Sequence, residues 1–291
     1  MALSIEAWRR RGRPVATADG EVWALDVAGA DTAATPVLML HGFPSSAYDF
    51  AEVIDHVVAR RRVVTLDFLG FGLSDKPHDY GYSLFEQADT VIEVARTLGL
   101  ERAHVWGHDM GTSVVTELLA RRERRLCPLQ VASVTLMNGS VHVDLAHLTL
   151  GQKLLRSPLG DVFARLSSRA TFLAQLRRTF GREPDEPTLD AMWDLLSRDD
   201  GVARLPAIIQ YLGERTRFRR RWIGALERCD VPLLVAWGRR DPVAVMAIAE
   251  KLARGTPGAR LETWDDLGHW PQVEDPARVV RTVAAFWDEV G

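Results

Sequence analysis

The sequence is poor in several things that would narrow its function at once. It has only two cysteines, Cys127 and Cys229, far apart in the chain. That excludes a dense disulfide framework and offers no metal-ligand spacing. Two free thiols in a reducing compartment are expected, and with them a cytoplasmic location. No apolar run approaches the ~20 residues that a bilayer-spanning helix requires. The opening residues Met1-Ala2-Leu3-Ser4-Ile5-Glu6 lack a cationic segment followed by an apolar core, so no secretory leader is expected. Charge is also nearly balanced, at a formal -3. This gives no electrostatic reason to expect nucleic acid or an anionic membrane as partner. Lysine is confined to Lys76, Lys153 and Lys251, and there are only four tyrosines, a scarcity that bears on the chemistry below. Internal repeats and low-complexity tracts are absent, and nothing implies a metal or an organic cofactor.

What is present is a 291-residue chain, 47% hydrophobic, sufficient for one large α/β domain or for such a domain carrying an insertion. Short apolar runs predict strands at Val22 to Val27, Val37 to Leu40, Val63 to Phe68, Ala103 to Trp106, Val131 to Met137, Leu233 to Trp237 and Arg260 to Thr263. Several are continuously apolar, as strands covered on both faces of a parallel sheet are. Helical patterns lie between them. Ser83-Leu84-Phe85-Glu86 has the form of a capping box, and the helix it opens stops near Gly99. Val279, Val283 and Phe286 recur at helical spacing after Pro276. The stretch from Ser140 to Leu212 differs, being helical in composition and punctuated by glycine and proline. It reads as a helical lid, which divides the chain into a core (1–139 and 213–291) and a cap (140–212).

The segment Val105-Trp106-Gly107-His108-Asp109-Met110-Gly111 carries the chemistry. It follows a strand and precedes a helical run, and has the G-x-S-x-G form of a nucleophile elbow with Asp in place of Ser. A serine needs a base before it can attack, whereas a carboxylate is already charged and can displace a leaving group at a saturated carbon. The product is an ester of the protein, which water must then hydrolyse. His269, in Leu267-Gly268-His269-Trp270-Pro271, is the candidate base. Asp241, just beyond the Leu233 to Trp237 strand, is the candidate acid that orients it. The order nucleophile, acid, histidine is that of α/β-hydrolases. His41-Gly42-Phe43-Pro44 follows the Val37 to Leu40 strand, so the amides of Phe43 and Met110 are candidate oxyanion donors. No serine competes for the elbow, since Ser45 and Ser113 both lie outside it.

On these motifs, together with Asp67-Phe68-Leu69-Gly70-Phe71-Gly72-Leu73-Ser74-Asp75, the sequence resembles the α/β-hydrolase superfamily, and within it the epoxide hydrolase and haloalkane dehalogenase branch. The resemblance covers residues 20–139 and 214–290. Asp67 to Pro77, and Gln210-Tyr211-Leu212 through Phe218-Arg219-Arg220-Arg221-Trp222, are also similar to the mesoderm-specific transcript proteins. The resemblance implies a mostly parallel eight-stranded sheet flanked by helices, with a helical cap after strand 6. It also implies a small hydrophobic substrate, an epoxide or an alkyl halide, consumed with water by a monomer or homodimer.

The two chemistries differ in how they assist the leaving group. Dehalogenases hold the halide with a Trp after the nucleophile and a second Trp or Asn; this chain has Met110 and Phe43 at the corresponding places. Fluoroacetate dehalogenases put an Arg where Met110 stands. Trp193, in the cap, is the remaining candidate halide donor. Epoxide hydrolases use two lid tyrosines as proton donors. Tyr211 stands where one of the pair is expected, with His142 or His147 as stand-ins for the other. His108, Asn138 and Trp270 are further candidates for contact with substrate. The Arg215, Arg217, Arg219, Arg220 and Arg221 run reads as a solvated, ion-paired helix face. Together these features favour an epoxide hydrolase that yields vicinal diols. A haloalkane dehalogenase is the alternative, and a vestigial hydrolase fold serving as a binding module is the alternative of another class.

Overall fold

The computed structural model describes residues 3–291. Eight strands form one sheet: β1 (Arg13–Ala16), β2 (Glu21–Val27), β3 (Val37–Leu40), β4 (Val63–Leu66), β5 (Arg102–His108), β6 (Gln130–Met137), β7 (Leu233–Gly238) and β8 (Arg260–Trp264). Their order across the sheet is β1-β2-β4-β3-β5-β6-β7-β8. Only β2 runs against its neighbours, and every pairing from β4 to β8 is parallel. β3, β4 and β7 are buried along their whole length, which is why their sequences are apolar without alternation save for Thr65, whose hydroxyl donates to the Met39 carbonyl.

The expected strands are all present, with ends shifted by one or two residues. β4 ends at Leu66, and the carboxylate of the next residue, Asp67, accepts the amides of Ala47 and Leu73 and so ties two loops together. β1 was not expected. It is a four-residue edge strand, contains a proline, and buries only Val15, too little pattern to read from sequence. A first helix, Ile5–Arg11, precedes it and buries only Trp8.

Helices cover both faces of the sheet. The helix Leu84–Thr97 begins with both bonds of the capping box at Ser83 and Glu86, and Gly99 follows it in the left-handed region. Met110–Glu123 is the central helix, buried without interruption from Met110 to Ala120. Between β6 and β7 the chain leaves the sheet as a helical insertion that includes Leu150–Leu155, Gly160–Leu166, Arg169–Arg177, Glu186–Ser197 and Gly201–Ile208, and returns through Tyr211–Arg217 and Arg219–Glu227. The insertion stands over the carboxyl ends of the strands, where open α/β sheets bind ligands.

Candidate active site

Asp109 is the single residue between the end of β5 and the start of the central helix, with φ 44° and ψ -109°. An L-residue held there costs on the order of 1–3 kcal/mol, which the surrounding packing must offset. The turn is tight enough to require glycine at two places. A Cβ on Gly42 would lie 2.4 Å from the Cβ of Asp109, and one on Gly111 would lie 2.3 Å from the carbonyl oxygen of Leu40. That close approach lets the Phe43 amide donate to Asp109 Oδ1 at 2.9 Å. His41 braces the same segment: its Nδ1 lies 2.9 Å from the Gly42 carbonyl oxygen and its Nε2 accepts from the Phe68 amide at 3.0 Å. Burial lowers the pKa of His41 to about 4, against the opposing pull of the Gly42 bond, so the ring is neutral.

Asp241, on the turn after β7, accepts the amides of Val243 and Ala244 on Oδ1, at 2.7 and 2.9 Å. Its Oδ2 is left for His269 Nδ1 at 2.6 Å and for the Asn138 side-chain amide at 2.8 Å. His269, beyond β8, presents Nε2 3.9 Å from Asp109 Oδ2, too far for a hydrogen bond. Burial pulls the His269 pKa down, but the charge of Asp241, the bond to it, and the charges of Asp109 and Glu274 raise it to about 9. Glu274 fixes the histidine loop, accepting the amides of Gly268 and Trp270, and also those of Gly181 and Arg182 in the insertion. A further bond, from the His269 amide to the Thr179 carbonyl at 2.8 Å, joins the same two segments.

A cavity of about 100 Å³, open at its mouth, lies between insertion and sheet. Phe43, His269 and Trp270 form its floor, and Leu155, Phe163 and Trp193 are among the insertion residues around it. Its lining side chains are apolar or neutral apart from His269.

Of the residues expected as substrate contacts alone, four do not line this cavity, and the expected nucleophile Asp109 and proton donor Tyr211 are not among its lining residues either. His108 is buried under the site, with Nε2 2.8 Å from the His269 carbonyl oxygen. Asn138 points at the acid, and its Oδ1 accepts the Gly238 amide at 2.9 Å, so it is bound on both sides of its amide. His142 sits in a separate hollow beside Lys251 and Leu252, and His147 is exposed. His108 and Asn138 stand at strand ends, and His142 and His147 in the first part of the insertion, but the side chain or the segment takes each elsewhere. Trp193 and Trp270 do line the cavity, although the indole N–H of Trp270 is engaged by Thr179 Oγ1 at 2.8 Å. Tyr211 is buried outside the cavity lining, its ring centroid 6.0 Å from that of Phe43. Burial and the charge of Asp109 raise its pKa, so the phenol keeps its proton.

Arg215 corrects the reading of the arginine run as solvated. It is 1% exposed, donates through Nε to Ser113 Oγ at 2.8 Å and through a terminal nitrogen to the Asp109 carbonyl at 3.3 Å, and lies 4.7 Å over the Tyr211 ring. Nothing in its neighbours in sequence distinguishes it; only the helical phase relative to Tyr211 and Leu212, both buried, would have placed it inside. Arg221 is also bound inward, to the buried Glu117 at 2.7 and 2.8 Å.

The family model of the α/β hydrolase fold matches residues 35–276. The chain belongs to the α/β-hydrolase family. Within that family it is 44% identical over 277 residues to a Mycobacterium tuberculosis protein named "Putative hydrolase LipZ", with 94% of each chain covered. It is 34% identical to the human mesoderm-specific transcript homolog protein, over 98% of this chain and 88% of that one. The haloalkane dehalogenase DbeA from Bradyrhizobium elkani superposes with a TM-score of 0.81 at 22% identity, covering 96% of this chain and 98% of that chain, a likeness of fold. This α/β-hydrolase thus joins its family on fold and on the order of its motifs, with an aspartate at the elbow.

Proposed function

We propose that this hydrolase attacks a carbon electrophile with Asp109 and releases the product with water activated by His269, and that its substrate is an epoxide. The observation that carries the reading is the carboxylate at the elbow, with Oδ1 held by the Phe43 amide and Oδ2 turned toward a histidine that Asp241 orients. Oδ2 attacks the epoxide carbon, the C–O bond breaks, and the ring oxygen takes the proton of Tyr211. The resulting phenolate lies beside the Arg215 guanidinium. Esterification removes the negative charge of Asp109, one of the groups that keep His269 protonated, so the imidazolium gives its proton to solvent and serves as a base, and it takes one back from solvent when the Asp109 carboxylate is restored. Water then adds to the ester carbonyl carbon and gives its proton to His269. The oxyanion forms on Oδ1, facing the Phe43 amide and the start of the central helix at Met110. Collapse expels the diol oxygen, which takes the proton from His269, and the new carboxyl group returns a proton to Tyr211. Insertion residues 140–212 act as the cap that selects the substrate.

The alkyl halide reading rests on Trp193, whose ring lines the cavity. It is the weaker one because Met110 is apolar and the Trp270 N–H is already bound to Thr179, so neither serves as the second donor. A serine-nucleophile reading has no residue at the elbow; Ser113 lies on the central helix and accepts from Arg215.

Intact-mass spectrometry of His269→Gln exposed to a panel of epoxides and alkyl halides tests the proposal. A mass gain equal to a whole epoxide, mapped to Asp109 and absent from Asp109→Asn, is expected. Gain of the alkyl group alone with halide release would select the second reading, and no adduct with any member of the panel would favour a binding module. Tyr211→Phe should slow ester formation by about 10²-fold or more, the scale of a lost general acid.

A further inference from the structure

The insertion helices that wall the cavity carry an unpartnered apolar ridge on their outer side. Leu150 is 73% exposed, Leu159 64%, Val162 54% and Leu166 76%. Leu159, Val162 and Leu166 recur at i, i+3 and i+7, one stripe of the helix Gly160–Leu166 and its cap residue. Leu150 opens the neighbouring helix, Leu150–Leu155, which packs against it. Four exposed large aliphatic side chains within seventeen residues form a patch, whereas the other two among the described residues, Leu126 and Leu261, stand apart. The flanking charge is mainly positive: Lys153, Arg156 and Arg165 are exposed and have no ion pair among the described residues, against the single carboxylate of Asp161. Arg169 is paired with Asp190.

The opposite sides of these segments face the cavity through Gly151, Gln152, Leu155, Phe163 and Ser167. Ridge and cavity wall are therefore two surfaces of one layer, one helix thick.

We infer that the Leu150–Leu166 ridge is a docking surface for an anionic lipid bilayer, on which the protein lies peripherally so that an apolar substrate passes from lipid into the cavity. Apolar side chains enter the headgroup boundary while unpaired cations beside them meet anionic lipid, the two components of interfacial binding. No helix among the described residues is long and apolar enough to cross a membrane, so the contact is of the surface type. The absence of a membrane partner, expected from the sequence, rested on total charge and run length. Neither registers four side chains brought together by folding.

Co-sedimentation of the full chain with vesicles of phosphatidylcholine, with and without phosphatidylglycerol, tests this without any turnover, so its failure is separate from failure of the proposed reaction. Pelleting with phosphatidylglycerol vesicles is expected. Binding should fall at least about tenfold in the triple variant Leu159→Ser, Val162→Ser, Leu166→Ser. In the pair Lys153→Ser, Arg165→Ser the preference for phosphatidylglycerol should shrink while the melting temperature is kept. No pelleting by the native chain overturns the inference, as does equal binding by the triple variant. A ridge that instead joins two copies would show as a dimer in the native chain that the triple variant dissolves, and this also overturns it.

Discussion

At the scale of single residues, the groups nearest Asp109 divide into those that react and those that hold. Asn138 and Arg215 hold. Asn138 was legible only as a residue at a strand end; that it grips Asp241 depends on its φ of 44°, which turns the side chain toward β7. Arg215 was illegible because five arginines lie within seven residues, and charge density in a sequence reads as exposure. A guanidinium buried without a carboxylate is expensive, and its bonds to Ser113 and to the Asp109 carbonyl offset the loss of water. Arg215→Gln removes the charge-assisted bonds and should lower stability by about 1.5–3 kcal/mol. If the cation also supports the Tyr211 phenolate, Arg215→Lys should restore ester formation in rapid-quench experiments more fully than it restores stability in urea melts. A purely structural arginine would give parallel recovery of the two.

Among the elements, those with a regular period were readable and those set by tertiary contact were not. The continuously apolar β3, β4 and β7, the capped helix Leu84–Thr97 and the C-terminal helix Pro276–Val290 all announce themselves locally. The motifs at the ends of β3, β5, β7 and β8 do too, because sharp turns restrict residue type. The positions of cap side chains do not, since nothing short-range states which helix face meets the sheet; hence of three cap candidates Trp193 lines the cavity while His142 and His147 lie away from it. The clasp at Glu274 is of the same long-range kind, joining residues 181–182 to the histidine loop. Glu274→Ala leaves the part-buried amides of Gly181, Gly268 and Trp270 without this acceptor and should cost roughly 1–3 kcal/mol. Hydrogen exchange at Gly181, Arg182 and Gly268 should accelerate together if the two segments are held as one unit.

For the molecule as a whole, buried histidines set opposite limits on stability against pH. His41 and His104 have pKa values lowered by burial to about 4 and about 3, with Arg61 adding to the fall at His104. Between those values and 6.5 the unfolded chain binds protons that the folded chain refuses, so stability is lost on acidification. His269 is the reverse. Its stabilisation is complete below 6.5 and is lost as pH rises through about 9. Melting temperature should therefore be highest near neutrality, and His269→Gln should flatten the alkaline fall while leaving the acid limb. An unchanged alkaline limb in that variant would show that His269 is not the group responsible.

The position of Arg215 bears on how such a protein can acquire new substrates. The insertion leaves the sheet after β6 and returns before β7 as one continuous length, so a foreign one could be spliced in without touching the elbow. Arg215 lies on the returning stretch and is wedded to Ser113 and the Asp109 carbonyl. A splice that rejoins upstream of Gln210 inherits that union intact, while one that rejoins downstream of Arg217 must bring its own cation or lose the brace. On the proposed reaction, the boundary between what would choose the substrate and what would transform it falls before Tyr211, two residues inside the 140–212 division drawn from the sequence, with Arg215 on the core side of it.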